Sequence, residues 1–151
     1  MKNYLPFLFL LVFMSSCSND KDNIDFKAQN EEEIQLYIAE NNLNATRSDS
    51  GLYYVIDNLG TGAQPRSSST VTVIYKGYFL NGQQFDSSNA QGVTFGLNRV
   101  IPGWTEGITY FKEGGRGMLL IPAHLGYGSF GTRGIPGGAV LIFDITLVDV
   151  N

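Results

Sequence analysis

The sequence predicts an α+β fold, in which a twisted antiparallel sheet of five to six strands wraps on one short helix and a second short helix lies near the N-terminus. Three observations lead to this prediction. The 151-residue chain has 18 glycines and 13% aromatic residues, whereas charged residues make up only 16% against a typical ~25%. From residue 51 onward the apolar residues follow the two-residue period of strands. One later segment, between a proline and a pair of glycines, carries helix signals instead.

Composition limits the classes of function. The formal net charge is −4, and it becomes −5 if the N-terminal segment with Lys2 is removed, so nucleic-acid binding is not expected. The chain has one cysteine, Cys17, and one histidine, His124. A disulfide within the chain is impossible, and a His/Cys metal site has too few ligands. A carboxylate site remains possible by count, but the sequence shows no clustered Asp/Glu loop, so we expect no metal. We also expect no cofactor.

Residues 1–16 are predicted to be a signal peptide. Lys2 is followed by an apolar run of about ten residues, Leu5 to Met14, which is too short to span ~30 Å of hydrocarbon. The run ends in Met14-Ser15-Ser16-Cys17, which resembles the lipobox of bacterial lipoproteins. This resemblance implies lipidation of Cys17 and several acyl chains, enough for stable anchoring. The alternative is an ordinary secretory signal followed by an isolated cysteine.

Residues 17–29 are polar and lack periodicity, and we expect a lipid-anchored flexible tether there. Twelve extended residues would reach about 40 Å from the membrane. The acidic stretch after Cys17 resembles a surface-export signal of bacterial lipoproteins, which predicts a cell-envelope location in the outer membrane, on its periplasmic or surface-facing leaflet.

An N-terminal helix is predicted over residues 30–42. Asn30 precedes three glutamates, so its side chain is expected to cap the first N–H groups while the carboxylates favour the positive end of the helix dipole. Ile34, Tyr37 and Ile38 share one face. This narrow apolar stripe favours a spacer that packs lightly on the domain.

The main domain is predicted over residues 51–151. Leu52–Ile56 is rich in β-forming residues, and Val71, Val73 and Tyr75 alternate with polar or outward-facing residues. Asn81-Gly82 lies between Phe79-Leu80 and Gln83–Phe85 and predicts a hairpin with a type I′ turn. The remaining predicted elements are a strand at 93–97, a helix between Pro102 and Phe111 that ends before Gly114-Gly115, and strands at 118–121 and 140–150.

Several segments of this domain resemble the FKBP family of peptidyl-prolyl cis–trans isomerases. They occur in the family's order between Gly51 and Asn151, which is 101 of the 151 residues. The most specific are NGQQFDSS (81–88), VIPGWTEG (100–107) and IPAHLGYG (121–128), and they are accompanied by GTG (60–62), VIYKG (73–77), IP (135–136) and LIFD (141–144). The resemblance implies an FKBP-like fold and isomerase activity.

The resemblance also implies a site. Trp104 would form the floor beneath a prolyl ring, and the Ile101 N–H and the Tyr127 hydroxyl would hold substrate carbonyls. Asp86 would orient the twisted amide or hold Tyr75. The implied catalytic residues are Tyr75, Phe85, Asp86, Trp104 and Tyr127, and the implied substrate-binding residues are Phe95, Val100, Ile101, Ile135 and Phe143.

The chemistry of such a site needs no nucleophile, because rotation about an X–Pro bond makes and breaks no covalent bond. Its barrier is ~18–20 kcal/mol, and the twisted amide has lost its charge-separated resonance. A dry apolar pocket therefore favours the twisted form over the planar one. Taken singly, these residues also fit ordinary structural roles. Val100, Ile101, Trp104 and Phe143 would fit as core residues, Asp86 as a turn cap, and Tyr127-Gly128 as part of a turn.

The sequence departs from the family pattern in three places. Val93 replaces an aromatic residue, Asn89-Ala90-Gln91 supplies no basic partner for Asp86, and Gly137 replaces a proline. These changes bear on substrate preference and drug affinity more than on the fold.

The predicted function is an isomerase that assists folding of exported proteins. Its partners would be proline-containing polypeptides and, through the lipid anchor, a membrane; macrolide FKBP ligands are candidate binders. The alternatives are a non-catalytic chaperone or binding module in an envelope complex and, for the N-terminal helix, a dimerisation role as in longer FKBP relatives.

Overall fold

A computed structural model describes residues 25–151 of the protein. The predicted signal peptide, Cys17 and most of the tether lie outside these residues. The helices are α1 (Phe26–Glu40) and α2 (Pro102–Gly107). The strands are β1 (Thr46–Arg47), β2 (Tyr53–Asn58), β3 (Thr70–Tyr78), β4 (Gln84–Ser87), β5 (Val93–Gly96), β6 (Arg116–Ile121) and β7 (Leu141–Val150). Short 3₁₀ turns cover Leu97–Arg99, Ile108–Tyr110 and Ala123–Leu125. Within the described part of the chain, no helix combines the length and apolarity needed to cross a membrane.

The seven strands form one antiparallel sheet, which confirms the predicted fold class. Six of them follow the order β1-β2-β6-β7-β3-β4, and β5 also pairs with β3. Strand β3 pairs along one edge with β7 and along the other with β4 and β5 in succession. The count exceeds the predicted five to six because β1 has only two residues and carries no detectable strand pattern. The predicted strands at 93–97, 118–121 and 140–150 correspond to β5, β6 and β7.

Both faces of the sheet are covered. Leu119 and Ile121 on β6 point into the main core with Trp104 and Phe111, whereas Leu120 between them joins a second cluster with Ile34 of α1. This alternation is the period-two rule for strands. Helix α1 thus packs on the face opposite α2, and Ile34 is fully buried. Its contact with the domain is tighter than the light packing expected of a spacer.

Helix α1 begins earlier than predicted. Asp25, not Asn30, is the N-cap, and its carboxylate accepts hydrogen bonds from the N–H groups of Lys27 (3.1 Å) and Ala28 (3.3 Å). Residues 26–29 are therefore helical rather than part of the tether. Asn30 lies inside the helix and is fully buried. The prediction chose the wrong cap because Asn before a run of glutamates satisfies the same rule as Asp25. The helix ends as predicted, with Asn41 as C-cap.

The hairpin between β3 and β4 is present, but the predicted type I′ turn is wrong. That turn needs positive φ at both central residues. Among residues 25–151 only Asn42 and certain glycines have positive φ, and Asn81 is not one of them. Instead, the Gly82 N–H donates to the Phe79 carbonyl (2.8 Å) and Gly82 has φ 82°. This is a three-residue loop closed by a left-handed glycine, which the same Asn-Gly pair also permits.

Helix α2 begins at Pro102, as predicted, and continues as a 3₁₀ turn to Tyr110. Proline fits the first helical position because its missing N–H would be unpaired there anyway. The helix buries Gly103, Trp104 and Gly107. It therefore places the chain's single tryptophan in the main core, on the face of the sheet opposite α1.

Candidate active site

A cavity of about 630 Å³ opens beside α2. It is enclosed by strands β3, β4, β5 and β7, by the segment that precedes α2 and by the loop that follows β6. All ten residues that the family resemblance implied line it. They are Tyr75, Phe85, Asp86, Phe95, Val100, Ile101, Trp104, Tyr127, Ile135 and Phe143. These side chains come from residues 75 to 143 of the sequence, so only the fold brings them together.

A second depression, of about 770 Å³, lies on the other side of α2. Gln64, Arg66, Thr105 and Glu106 contribute polar groups to it, and Tyr110 is its one aromatic ring. We assign the site to the smaller cavity, because aromatic rings and a few convergent polar groups are the usual lining of a ligand site.

The floor of the cavity is an aromatic cluster centred on Trp104. The indole meets Tyr75, Phe95 and Phe143 with ring centroids 5.0, 5.2 and 5.1 Å apart. Its contacts with Tyr75 and Phe143 are edge-to-face, with interplanar angles of 87° and 84°. Such pairs contribute ~0.5–1.5 kcal/mol each beyond their buried area, so the cluster is held rigidly.

Trp104 presents carbon, not nitrogen, to the cavity. The indole is 5% exposed, and its Nε1 is buried with no hydrogen-bond acceptor among the described residues. The helix holds the residue in place from the opposite side, where the backbone N–H of Trp104 donates to the Ile101 carbonyl (2.9 Å). The hydroxyl of Thr105 donates to the Leu97 carbonyl (2.6 Å) and ties the helix to the preceding turn. The floor is thus dry and apolar.

Tyr75 and Asp86 form the polar rim. They lie on the paired strands β3 and β4, and the Tyr75 hydroxyl donates to Asp86 Oδ2 (2.7 Å). The other carboxylate oxygen accepts from the Ser87 N–H (2.8 Å). Among residues 25–151 Asp86 has no salt bridge, as expected from the absence of a basic residue after the Asp-Ser-Ser segment. Asp86 therefore holds the Tyr75 ring in the cavity wall.

Two hydrogen-bond donors are free to meet a ligand. Within the part of the chain that the structure covers, neither the Ile101 backbone N–H nor the Tyr127 hydroxyl has a partner. Tyr127 is 40% exposed and lies near Tyr75 at the open side of the cavity. These are the two donors that the resemblance assigned to substrate carbonyls.

The sequence prediction missed Arg99, Thr132, Arg133 and Gly134, which also line the cavity. Arg99 directly precedes the VIPGW segment, and Arg133 lies two residues before Ile135. Adjacency to a motif was the only signal available for them. Val93 also lines the cavity and is 41% exposed. Its short side chain, in place of the aromatic ring expected from the resemblance, leaves this part of the cavity wall more open.

The Tyr75–Asp86 pair predicts a measurable titration. Burial, together with the hydrogen bond to Asp86 and its negative charge, raises the pKa of Tyr75 to about 12. The folded protein thus holds this proton more tightly than the unfolded chain. The resulting stabilisation is complete below pH ~10 and is lost as the pH rises toward 12. Asp86→Asn should move the pKa of Tyr75 back toward its ordinary value, although burial keeps it somewhat raised.

Ultraviolet difference titration of the variant against the wild type isolates this one tyrosine. Asp149→Asn serves as the control, because Asp149 is a carboxylate on β7 with no tyrosine hydroxyl bonded to it. Identical tyrosine titrations in the Asp86→Asn protein and the wild type would contradict the assignment.

Comparison with known proteins places these features in a known family. Residues 61–148 match the family described as FKBP-type peptidyl-prolyl cis-trans isomerase. The chain is 41% identical over 134 residues to the FKBP-type isomerase FkpA of Escherichia coli K12, covering 87% of this chain and 49% of that one. It is 37% identical over 140 residues to FkpA of Aeromonas hydrophila, covering 91% and 52%. The chain therefore spans about half the length of these relatives.

Solved structures show the same fold. The crystal structure of FkpA from Escherichia coli matches with a TM-score of 0.77 and 40% identity, over 87% of this chain and 62% of that one. A peptidyl-prolyl cis-trans isomerase from Pseudomonas syringae matches with a TM-score of 0.72 and 28% identity, over 83% and 95%. These matches confirm the predicted FKBP-like fold.

Proposed function

Because the chain belongs to the FKBP-type peptidyl-prolyl cis-trans isomerase family, we propose that its aromatic cavity catalyses rotation about X–Pro bonds in polypeptides. The observation that carries the proposal is the convergence of the ten implied residues on one cavity floored by Trp104. The chain's substrates would be proline-containing segments of exported proteins, whose folding the enzyme would assist.

The cavity supports this chemistry in two ways. Its aromatic floor and walls replace water around the amide, which costs the polar planar form more than the less polar twisted form. The Ile101 N–H and the Tyr127 hydroxyl would hold the flanking carbonyls, so that the prolyl ring stays in place while the bond turns. No group of three His, Cys, Asp or Glu side chains suited to a metal ion occurs within residues 25–151. The proposed reaction uses only binding and desolvation.

The test is a protease-coupled assay with a short proline peptide, run on the full chain in mild detergent. Isomerisation above the uncatalysed rate, and its inhibition by a macrolide FKBP ligand such as rapamycin, would support both the activity and its place in the cavity. A folded protein that gives no rate above background but still suppresses aggregation would contradict catalysis and favour the binding-module alternative.

The cavity rim predicts a preference among substrates. Arg99 and Arg133 line it, both are exposed, and neither takes part in the salt bridge found within residues 25–151. Exposed charge pairs contribute ~0.2–1 kcal/mol, so peptides with glutamate next to proline should react about two- to fivefold faster than peptides with lysine there. The double variant Arg99→Gln/Arg133→Gln should lose this preference.

The matched control is Arg66→Gln, which removes an exposed arginine from the other depression. Raising the salt concentration should shrink the wild-type preference, because ions screen exposed charges. Equal preference in the wild type and the double variant at low salt would refute the role of these arginines.

The N-terminal sequence supports a location in the cell envelope. We propose that residues 1–16 are removed as a signal peptide and that acylated Cys17 anchors the protein to the outer membrane. Labelling with radioactive palmitate that is lost in Cys17→Ser, together with release of that variant from membranes, would support the anchor. Membrane association that persists unchanged in the unlabelled variant would contradict it.

A further inference from the structure

Among residues 25–151, Asn30 is the one residue with a polar or charged side chain that is buried, with 0% exposure. Its Nδ2 donates to the Gly138 carbonyl (2.9 Å), and its Oδ1 accepts from the Ala123 N–H (2.8 Å). Nδ2 also donates to Glu33 Oε2 (3.1 Å) within the helix. A carboxamide is the side chain that offers a donor and an acceptor side by side, so it can bridge one carbonyl and one N–H.

The two backbone groups that Asn30 joins are the ends of one loop. Ala123 begins the 3₁₀ turn after β6, and Gly138 lies three residues before β7. We call residues 123–138 the pocket loop, because it carries Tyr127, Arg133 and Ile135 to the cavity. Asn30 therefore closes the base of the segment that forms one side of the site, although it is more than 90 residues away in sequence.

Hydrogen bonds inside the pocket loop pass this constraint toward the cavity. The Gly138 N–H donates to the Gly128 carbonyl (2.9 Å), and the Gly128 N–H donates to the Ala123 carbonyl (2.8 Å). Gly128 directly follows Tyr127. The position of the Tyr127 backbone is thus tied through two hydrogen bonds to the same residues that Asn30 holds.

A second residue of α1 supports the contact. Phe26 lies four residues before Asn30, hence on the same helix face, and its ring packs directly on Gly138. A Cβ atom at Gly138 would overlap the Phe26 ring, so the helix and the loop end are in close contact. The contact combines an apolar ring with a buried, fully bonded carboxamide, and water cannot replace the hydrogen bonds of such a buried group.

We propose that Asn30 is a positioning residue of the site, and that α1 is through it a working part of the isomerase unit rather than a spacer. Its side chain fixes the pocket loop so that Tyr127 and Ile135 face the substrate. The kinetic part of this inference rests on the proposed isomerase function; the structural part does not.

The experiment compares Asn30→Leu with the wild type and with Ile34→Val. Leucine has the same branched side chain of four heavy atoms as asparagine, but it has no polar atom with which to bridge the loop ends. Ile34→Val removes one methyl group from the next turn of the same helix, at a position that is equally buried but has no hydrogen bond to the loop. Two quantities are measured on the full chain in detergent: KM and kcat for a proline peptide, and hydrogen exchange of the Gly128 and Gly138 amides.

Asn30→Leu is expected to raise KM about 3- to 10-fold while kcat changes less than about twofold, because the cavity floor remains in place. Exchange at Gly128 and Gly138 should become roughly tenfold faster or more. Fluorescence of the single tryptophan, Trp104, should stay unchanged. Ile34→Val should leave KM and loop exchange at wild-type values even if it lowers the melting temperature.

Asn30→Ala also removes both hydrogen bonds to the loop ends, so it should change KM and loop exchange in the same direction as Asn30→Leu. Because alanine adds no bulk at this buried position, it serves if the leucine variant does not fold. Wild-type KM and loop exchange in the Asn30 variants, at a lowered melting temperature, would overturn the proposal. If the wild type has no isomerase activity, the proposed function fails, and the exchange comparison still decides whether Asn30 fixes the loop.

Discussion

Trp104→Leu is expected to lower kcat/KM by about 10- to 100-fold while the protein stays folded. Leucine keeps the floor apolar but removes the flat ring on which the prolyl group would rest, along with the edge contacts to Tyr75 and Phe143. Misplacing a bound reacting group by about 1 Å can cost this much. Removing a buried aromatic ring also destabilises the fold, here by about 2–3 kcal/mol because leucine refills part of the space.

The stability loss needs a matched control, and Phe111→Leu provides it. Phe111 belongs to the same core as Trp104 and is fully buried, but it does not line the cavity. Denaturant unfolding should show a similar loss in both variants, whereas the peptide assay should show lost activity only for Trp104→Leu. Wild-type kcat/KM in Trp104→Leu, or an equal loss in Phe111→Leu, would mean that the indole contributes only to packing.

The residues of the cavity could be predicted from the sequence because they lie in short segments that resemble those of the FKBP family and follow its order. VIPGWTEG places Trp104 two residues after the first helical position, and the structure builds helix α2 from Pro102 for the same local reason. The alternation along β3 was equally readable, since Val71 and Val73 are buried in the core and Thr72 between them is not. Local sequence rules were sufficient for these elements, because their own residues determine their conformation.

The sequence failed where several local choices are equally good or where a partner is distant. Asp25 and Asn30 are both good caps, and only the packing of Asn30 against Ala123 and Gly138 decides between them. Asn-Gly suits two different hairpin loops, and the pairing of β3 with β4 selects one. The arginines at the rim carry no periodic signal, because exposed loop positions obey no packing rule.

Gly117→Ala is expected to destabilise the fold by about 3 kcal/mol. Gly117 lies on β6 opposite Ile56 of β2, where the register of the two strands shifts between Ile56 and Asn58. The Val55 carbonyl lies directly against Gly117. A Cβ atom there would overlap the Val55 oxygen and press on the Phe111 ring. Backbone cannot move aside as a flexible side chain can, so either the β2–β6 pairing or the core must yield.

Gly114→Ala separates this steric effect from backbone strain. Gly114 has φ 82° with no atom within 4 Å of an added Cβ, so alanine there meets only the cost of a left-handed conformation, about 1–2 kcal/mol. Urea unfolding should therefore rank Gly117→Ala well below Gly114→Ala in stability; equal midpoints would show that β2 shifts freely. Because β6 leads directly into the pocket loop, KM of the Gly117→Ala molecules that remain folded also tests whether distortion of the sheet reaches the site. The pairing between β6 and β7 should confine the distortion to the β2 side, so this KM should stay close to that of the wild type.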